Sequence, residues 1–188
     1  VLFMFASTAF AAELRIDSPD GLALGTEVFY DGVDLGVVSS GRAAAQTVAQ
    51  LEQQAYISRP EIVRKQVSAR DGTIKYLFGL QDGNCVETVV MRYEHGNSVC
   101  LSTQAGCRMN CSFCATGKGG LERNLLPSEI LSQITAAQKD LSIRISNIVL
   151  MGMGEPLDNF DNVMDFLEIL SSLQGLNLSL RHVSLSTC

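Results

Sequence analysis

The sequence predicts an α/β fold over residues 98–188, preceded by a small β-rich N-terminal segment. Three observations predict it. Strand-like and helix-like runs alternate from Ser98 onward, residues 74–92 read as two strands around an Asp-Gly turn, and residues 13–40 alternate apolar and polar between turn signals. Strands alternating with helices imply parallel pairing and right-handed crossovers. At 188 residues and 46% hydrophobic, the chain is long enough for one core plus a small appendage and is not disordered. Three segments follow: residues 1–57, an atypical N-terminal segment of β-meander plus helix; residues 58–97, a lead-in β-hairpin; and residues 98–188, the alternating unit.

Val1–Ala12 is apolar and ends in small residues, like the later part of a signal peptide, yet it has no basic n-region and no initiator methionine. It is also too short to span a bilayer. The simplest account is a chain cut from something longer; an internal helix of an upstream domain and a remnant of an organelle-targeting segment stay open. Leu14-Arg-Ile-Asp17, Thr26-Glu-Val-Phe-Tyr30 and Gly32-Val-Asp-Leu-Gly-Val-Val38 alternate with period two around Asp-Gly turns, which predicts the meander. Residues 41–56 are Ala/Gln-rich and predict a helix that Ser58-Arg-Pro60 ends.

A hairpin follows, with Ile74–Leu80 and Val86–Arg92 joined at Gln81-Asp-Gly-Asn84. Ser98–Thr103 reads as a strand, and Ser128–Leu141 as a helix with Ile130, Ile134, Ala137 and Leu141 on one face. Ile145–Met151 is the next strand. A second helix is expected over 159–173, with Asp158 as its N-cap and Phe160, Val163, Met164, Leu167 and Leu170 spaced for burial. Arg181–Thr187 is the third strand.

The chemistry-bearing motif is Cys107-Arg-Met-Asn-Cys111-Ser-Phe-Cys114, three thiols spaced C-x3-C-x2-C on one short loop. Thiolates suit iron–sulfur clusters, and three ligands leave one iron of a cube open to a substrate or cofactor. A zinc site is the alternative, but structural zinc wants a fourth Cys or His in a second clustered pair, and the nearest candidates, His95 and Cys100, form none. Ordinary buried thiols are a third reading. Some 40 residues on, Ile145–Leu150 runs into Met151-Gly-Met-Gly-Glu-Pro156. Glycines let backbone approach a ligand closely, and Glu155 sets a carboxylate at the strand's C-terminal end, an acceptor for a ligand amine or a merely solvated loop glutamate.

Charge and cysteine usage bound the rest. A net charge of −6 is unusual for a phosphate-binding surface, although Arg108, Lys118, Arg123, Arg181 and His182 gather locally, either as solvated charge or as contacts to nucleic acid. Six cysteines with three on one loop argue against a disulfide framework, and cluster thiolates need a reducing compartment.

From about residue 58 to the end the chain resembles the radical-SAM RNA methyltransferases of the RlmN/Cfr family, nearest its RlmN branch. The resemblance is carried by Ser68-Ala-Arg-Asp-Gly-Thr-Ile-Lys-Tyr-Leu-Phe78, Val86-Glu-Thr-Val89, Val99-Cys-Leu-Ser-Thr-Gln-Ala-Gly-Cys107, Cys114-Ala-Thr-Gly117, Arg123-Asn-Leu125, Met151–Pro156 and Leu185-Ser-Thr187. Its N-terminus departs from the family's usual helical accessory domain. The resemblance implies that residues 98–188 are the first half of a (βα)6 barrel, truncated, with function at the C-terminal strand ends.

Residue by residue, the resemblance implies that Cys107, Cys111 and Cys114 hold a 4Fe-4S cluster whose open iron chelates S-adenosylmethionine. Gly154 and Glu155 match the turn holding the methionine amine, and Ser186 matches a further cofactor contact. Phe113 stands where such loops place an aromatic beside the adenine, or it is ordinary packing. Cys100 matches the thiol that resolves a protein–RNA adduct through a transient disulfide, against the default of a buried strand cysteine. Glu87 matches a candidate proton acceptor, against an exposed strand carboxylate.

The implied reaction methylates a cysteine beyond Cys188, uses a second cofactor molecule to generate a radical on that methyl group, and adds it to carbon 2 of an adenine in 23S rRNA or tRNA. The 188-residue chain alone is therefore expected to be inactive. Further expectations are flavodoxin or ferredoxin as electron donor, no membrane, a monomer, and the cytoplasm or, in a eukaryote, an organelle. Carbon-8 methylation, a radical-SAM enzyme with another substrate, and a zinc module are the alternatives.

Overall fold

The computed structural model describes residues 59–94, 96–173 and 175–188, together with the backbone course of four short strands upstream. Those are β1 (Leu2–Ala6), antiparallel to β2 (Phe10–Leu14), and β3 (Glu27–Tyr30), antiparallel to β4 (Val33–Val37). The internal helix considered for residues 1–12 is thus replaced by strands. A five-residue apolar run cannot be assigned by periodicity alone, and Leu-Phe-Met-Phe has the aromatic content strands favour. The paired strands β3 and β4 fall within the expected meander, on either side of Asp31-Gly32 in the sequence. The helix expected at 41–56 lies outside the described residues.

From residue 61 onward the strands are β5 (Glu61–Val67), β6 (Ile74–Gly79), β7 (Cys85–Tyr93), β8 (Gly96–Cys100), β9 (Gln104–Gly106), β10 (Leu121–Asn124), β11 (Ile145–Leu150) and β12 (Val183–Leu185). Six of them form one sheet in the order β12-β11-β8-β7-β6-β5. The antiparallel ribbon β5–β6–β7 runs on without a break into β8, so the lead-in carries three strands where the sequence suggested two. β5 escaped notice because all of its residues are exposed and its charges hide any alternation. β11 pairs in parallel with both β8 and β12, as the strand–helix alternation predicted. β12 is shorter than expected because Leu180–His182 forms a 3₁₀ turn before it.

Helices α1 (Pro127–Leu141) and α2 (Phe160–Ser171) cover one face of this sheet. Strand residues Tyr76, Phe78, Val86, Val90, Val99, Ile148 and Leu150, with Leu101 just past β8, join Ile130, Ile134, Ala137, Val163, Phe166 and Leu170 in one core. Each such aliphatic or aromatic side chain contributes about 1.5–3 kcal/mol by leaving water. The α1 face predicted from spacing is the one buried, with Leu141 at its margin.

α2 departs from expectation at its start. Pro156–Asn159 forms a 3₁₀ turn, Asn159 occupies the N-cap position without capping through its side chain, and Asp158 is no cap at all. The buried stripe accordingly centres on Val163, Phe166 and Leu170, leaving Phe160 (55%) and Met164 (48%) exposed at its side. Among the described residues no helix is long and apolar enough to cross a membrane.

The sheet's second face carries no helix among the described residues. The register places Gln66, Lys75, Val89, Cys100, Val149 and Ser184 in one row across all six strands on that face.

Candidate metal and cofactor site

The site begins where β8 leaves the sheet. Leu101–Thr103 links β8 to β9 and is bonded to the Met151–Pro156 turn: Gly152 N–H donates to Leu101 O at 2.9 Å, and Thr103 N–H to Met153 O at 2.9 Å. The Ser102 hydroxyl accepts from Met153 N–H at 2.9 Å and donates to Glu87 O at 2.6 Å. Gln133 on α1 fixes the same residue from the core, accepting from Ser102 N–H at 3.0 Å and donating to Ser102 O at 2.9 Å. Apart from the Thr103 hydroxyl, which is buried without a hydrogen-bond partner among the described residues, the polar groups of this segment are paired, which makes it rigid.

Gln104, fully buried, is the residue that sequence reasoning missed. Its Oε1 accepts from Glu155 N–H at 2.8 Å, and its Nε2 donates to Asn124 Oδ1 on β10 and to Asp158 Oδ2, each at 2.8 Å. One amide thus joins the cofactor-type turn, the hairpin bearing the cysteine loop and the start of α2. Gly154 is required beside it: its φ is +100° and a Cβ there would lie 2.5 Å from Gln104 Cβ. The only sequence signal was the polar Gln inside an otherwise small and apolar run before Cys107.

The three cysteines lie on the connection between β9 and β10, which pair antiparallel. Cys107 N–H donates to Gly120 O at 2.8 Å, closing the base of the loop, and a Cβ on Gly106 would meet that oxygen at 2.1 Å. Cys107 is buried, while Cys111 and Cys114 are half-exposed. The Gly117 N–H, followed by the Thr116 N–H and hydroxyl, holds the Cys114 thiol below its usual range, the direction that favours a thiolate ligand.

The donor set therefore fits an iron–sulfur cluster: three thiols on one loop, one of them biased toward the anion. Among the described residues no three His, Cys, Asp or Glu side chains already converge on one point, so the loop offers the ligands without a preformed cage. Cys100 stands apart on β8, where Met151 N–H points to its sulfur, and His95 lies outside the described residues. All six cysteines are free, so the structure contains no disulfide.

Glu155 is buried, yet its carboxyl sits below the usual range. Burial pushes it up, and hydrogen bonds from the Thr187 hydroxyl, Leu157 N–H and Cys188 N–H outweigh that. The two backbone bonds are each 3.0 Å. The chain just past β12 is thereby brought onto the turn, with Ser186 N–H donating to Leu150 O at 3.3 Å. The Cys188 side chain in turn contacts both Glu155 and Cys111, so the cysteine loop, the glutamate turn and the end of β12 meet.

The remaining candidates are placed unequally. Glu87 and Cys100 share the helix-free sheet face, since Val89, two residues from Glu87, is Cys100's register partner. Glu87 pairs with Lys75 at 2.6 Å. Burial raises the Cys100 thiol above its usual range, with Met151 N–H opposing. Phe113 is 91% exposed on the cysteine loop, with no packing partner among the described residues.

The basic residues near the loop are largely committed: Arg108 pairs with Asp158 at 2.8 Å, and Arg123 forks onto Glu129 with two bonds of 2.7 Å while also holding Asp82 at 2.5 Å. Arg123 is therefore a strut between β10, α1 and the turn after β6.

Residues 101–188 match the family model described as the Radical SAM superfamily. Among curated proteins, the chain is 54% identical over 142 residues to a "Probable dual-specificity RNA methyltransferase RlmN" of Clostridium novyi (strain NT), covering 76% of this chain and 41% of the relative. It is 57% identical over 141 residues to the protein of the same name from Clostridium botulinum (strain Alaska E43 / Type E3), covering 75% and 41%. A crystal structure of a radical SAM methyltransferase from Sphaerobacter thermophilus superposes with a TM-score of 0.69 at 40% identity, over 77% of this chain and 43% of the other. The chain spans about two fifths of the length of the curated relatives it matches.

Proposed function

Because residues 101–188 belong to the radical SAM superfamily, we propose that this chain is part of a radical S-adenosylmethionine methyltransferase that modifies carbon 2 of adenine in 23S rRNA and tRNA. The superfamily uses a 4Fe-4S cluster and S-adenosylmethionine, which together supply a one-electron route to ring carbons too poor in nucleophilicity for polar methyl transfer. The observation that carries the reading is the meeting of the cysteine loop with Glu155 at the end of β12.

Cys107, Cys111 and Cys114 hold the cluster. Glu155, kept anionic by its hydrogen bonds, would accept from the cofactor's ammonium group. Gly154 lets that turn approach the ligand, and Ser186, next to Thr187, adds a second contact. Phe113, exposed on the loop, would be the aromatic side chain that packs on the cofactor's adenine. Cys100 resolves the covalent protein–RNA adduct, and Glu87 accepts the proton released at the target carbon. Their common sheet face supports acting on one substrate.

An electron donor of the flavodoxin or ferredoxin class, a cytoplasmic setting and a monomeric state complete the proposal. The test is anaerobic reaction of the complete protein with S-adenosylmethionine, a reduced flavodoxin or ferredoxin as electron source, and unmodified 23S rRNA or tRNA transcripts, followed by nucleoside mass spectrometry. 2-Methyladenosine supports the reading; 8-methyladenosine would move it to the alternative carbon, and unmodified RNA from a cluster-loaded protein would reject it.

A further inference from the structure

The chain is acidic overall, but its charge is unevenly placed. Residues 59–75 hold five of its 14 Lys and Arg (Arg59, Arg64, Lys65, Arg70 and Lys75) against Glu61 and Asp71. Two of the five are committed, Lys65 to Asp140 and Lys75 to Glu87. Arg59 and Arg64 are exposed and make no ion pair with the described residues.

The register decides where these charges point. Arg64 stands opposite Leu77 and Gln66 opposite Lys75, on the helix-free face, whereas Lys65 stands opposite Tyr76 and reaches the helix side. Leu77 is in turn the partner of Glu87, and Lys75 leads through Val89 to Cys100. With strands about 4.8 Å apart, Lys75 lies about 10 Å and the β5 residues about 15 Å across the sheet from Cys100. Arg59 precedes Glu61, whose partner Gly79 pairs with Cys85, at the end of the ribbon that Arg123 ties to β10 through Asp82.

We infer that the exposed face of β5, through Arg64 with Gln66 alongside, together with Arg59 just before the strand, contacts the phosphate backbone of the RNA a few nucleotides from the base under attack. This rests on the reading of the substrate as RNA. Charge complementarity argues for that occupant: a polyanion meets guanidinium groups that have no ion pair among the described residues, whereas Arg108 and Arg123 near the cysteine loop are already neutralised by carboxylates. Such contacts fix where the RNA lies without reading its sequence, which suits an enzyme acting on two unrelated RNAs.

The experiment uses the complete, cluster-loaded protein, an unmodified tRNA transcript, and binding measured across a salt series. The slope of log affinity against log salt should become shallower by about 0.7–0.9 for each guanidinium that loses its phosphate. R59A/R64A should therefore flatten the slope by about two such steps, while R64K keeps it and S-adenosylmethionine binding is unchanged in both. Arg59 and every residue of β5 are exposed, so the substitutions leave the core intact. A double variant that methylates tRNA with the parent's slope would overturn this surface and leave the RNA reading standing. A parent that binds no RNA would bring down both, and lost affinity at unchanged slope would reject the phosphate contact.

Discussion

The Glu155 main-chain N–H donates to the side-chain Oε1 of Gln104 at 2.8 Å, so a residue three positions before the first cysteine of the loop sets the backbone of the glutamate turn 51 residues later. Gln104 spends its other end on Asn124 and Asp158. Removing the amide strands the Glu155 donor in a buried place, which costs about 1–3 kcal/mol. Q104A is expected to lower stability by that amount in urea titration and to weaken S-adenosylmethionine binding while cluster content is kept. Q104E should be worse, because it sets a carboxylate against Asp158. Equal cofactor affinity in Q104A and parent would reduce Gln104 to a core residue.

The cysteine loop makes a direct prediction. Anaerobically reconstituted protein should be brown and bind about four irons, and C111A or C114A should lose the charge-transfer absorbance. Stoichiometric zinc with no such absorbance would reject the cluster in favour of the zinc reading.

Glu155 gives a pH prediction. Its carboxyl is lowered in the folded protein, because bonds from Thr187, Leu157 and Cys188 overcome burial. A lowered carboxyl contributes fully above its ordinary value, near 4.3, and loses that contribution as pH falls through the folded value. Cofactor affinity in the parent should therefore be flat from neutrality down to about pH 5 as far as this group is concerned, and E155Q should weaken binding throughout that range. An E155Q protein with the parent's affinity at pH 7 would remove the assignment.

What was legible in the sequence follows from how local each signal is. C-x3-C-x2-C, the β-branched run into Gly-x-Gly-Glu-Pro, and the apolar stripe of α1 lie within one element each, and the structure builds those elements as read. β5 was missed because an edge strand with both faces in solvent has no hydrophobic period. Asp158 was misread as a helix cap because its partners, Gln104 and Arg108, are about 50 residues away in sequence. Arg108 and Arg123 looked like an RNA patch for the same reason: the carboxylates that neutralise them come from other elements.

Arg123 yields a stability prediction. Glu129 is only 8% exposed, caps α1 by accepting from Leu126 N–H at 3.0 Å, and receives the Arg123 fork. R123A leaves that carboxylate short of its partner and should cost about 1–3 kcal/mol, read as a lower denaturation midpoint at unchanged slope. R123K should recover only part of it, since an ammonium cannot make the two parallel bonds or hold Asp82 as well. Full recovery by lysine would show that charge alone matters there.

Cys100 carries the last prediction. Its thiol is half-buried and raised by that burial, so at neutral pH it is mainly protonated and not a ready nucleophile. A resolving role needs the thiolate, so resolution should speed up as pH rises toward the thiol's folded value, whereas a residue that merely fills β8 gives no such dependence. Neither cysteine methylation nor radical addition to the base requires Cys100. In the complete protein, C100A should therefore carry out both and stop at a covalent protein–RNA adduct, seen as a shifted band that nuclease removes. C100S, of nearly the same size and equally unable to form a disulfide, should trap the same adduct. If C100A and C100S both turn over normally and no adduct accumulates, Cys100 is a strand residue whose neighbours Val99 and Leu101 alone matter for the core.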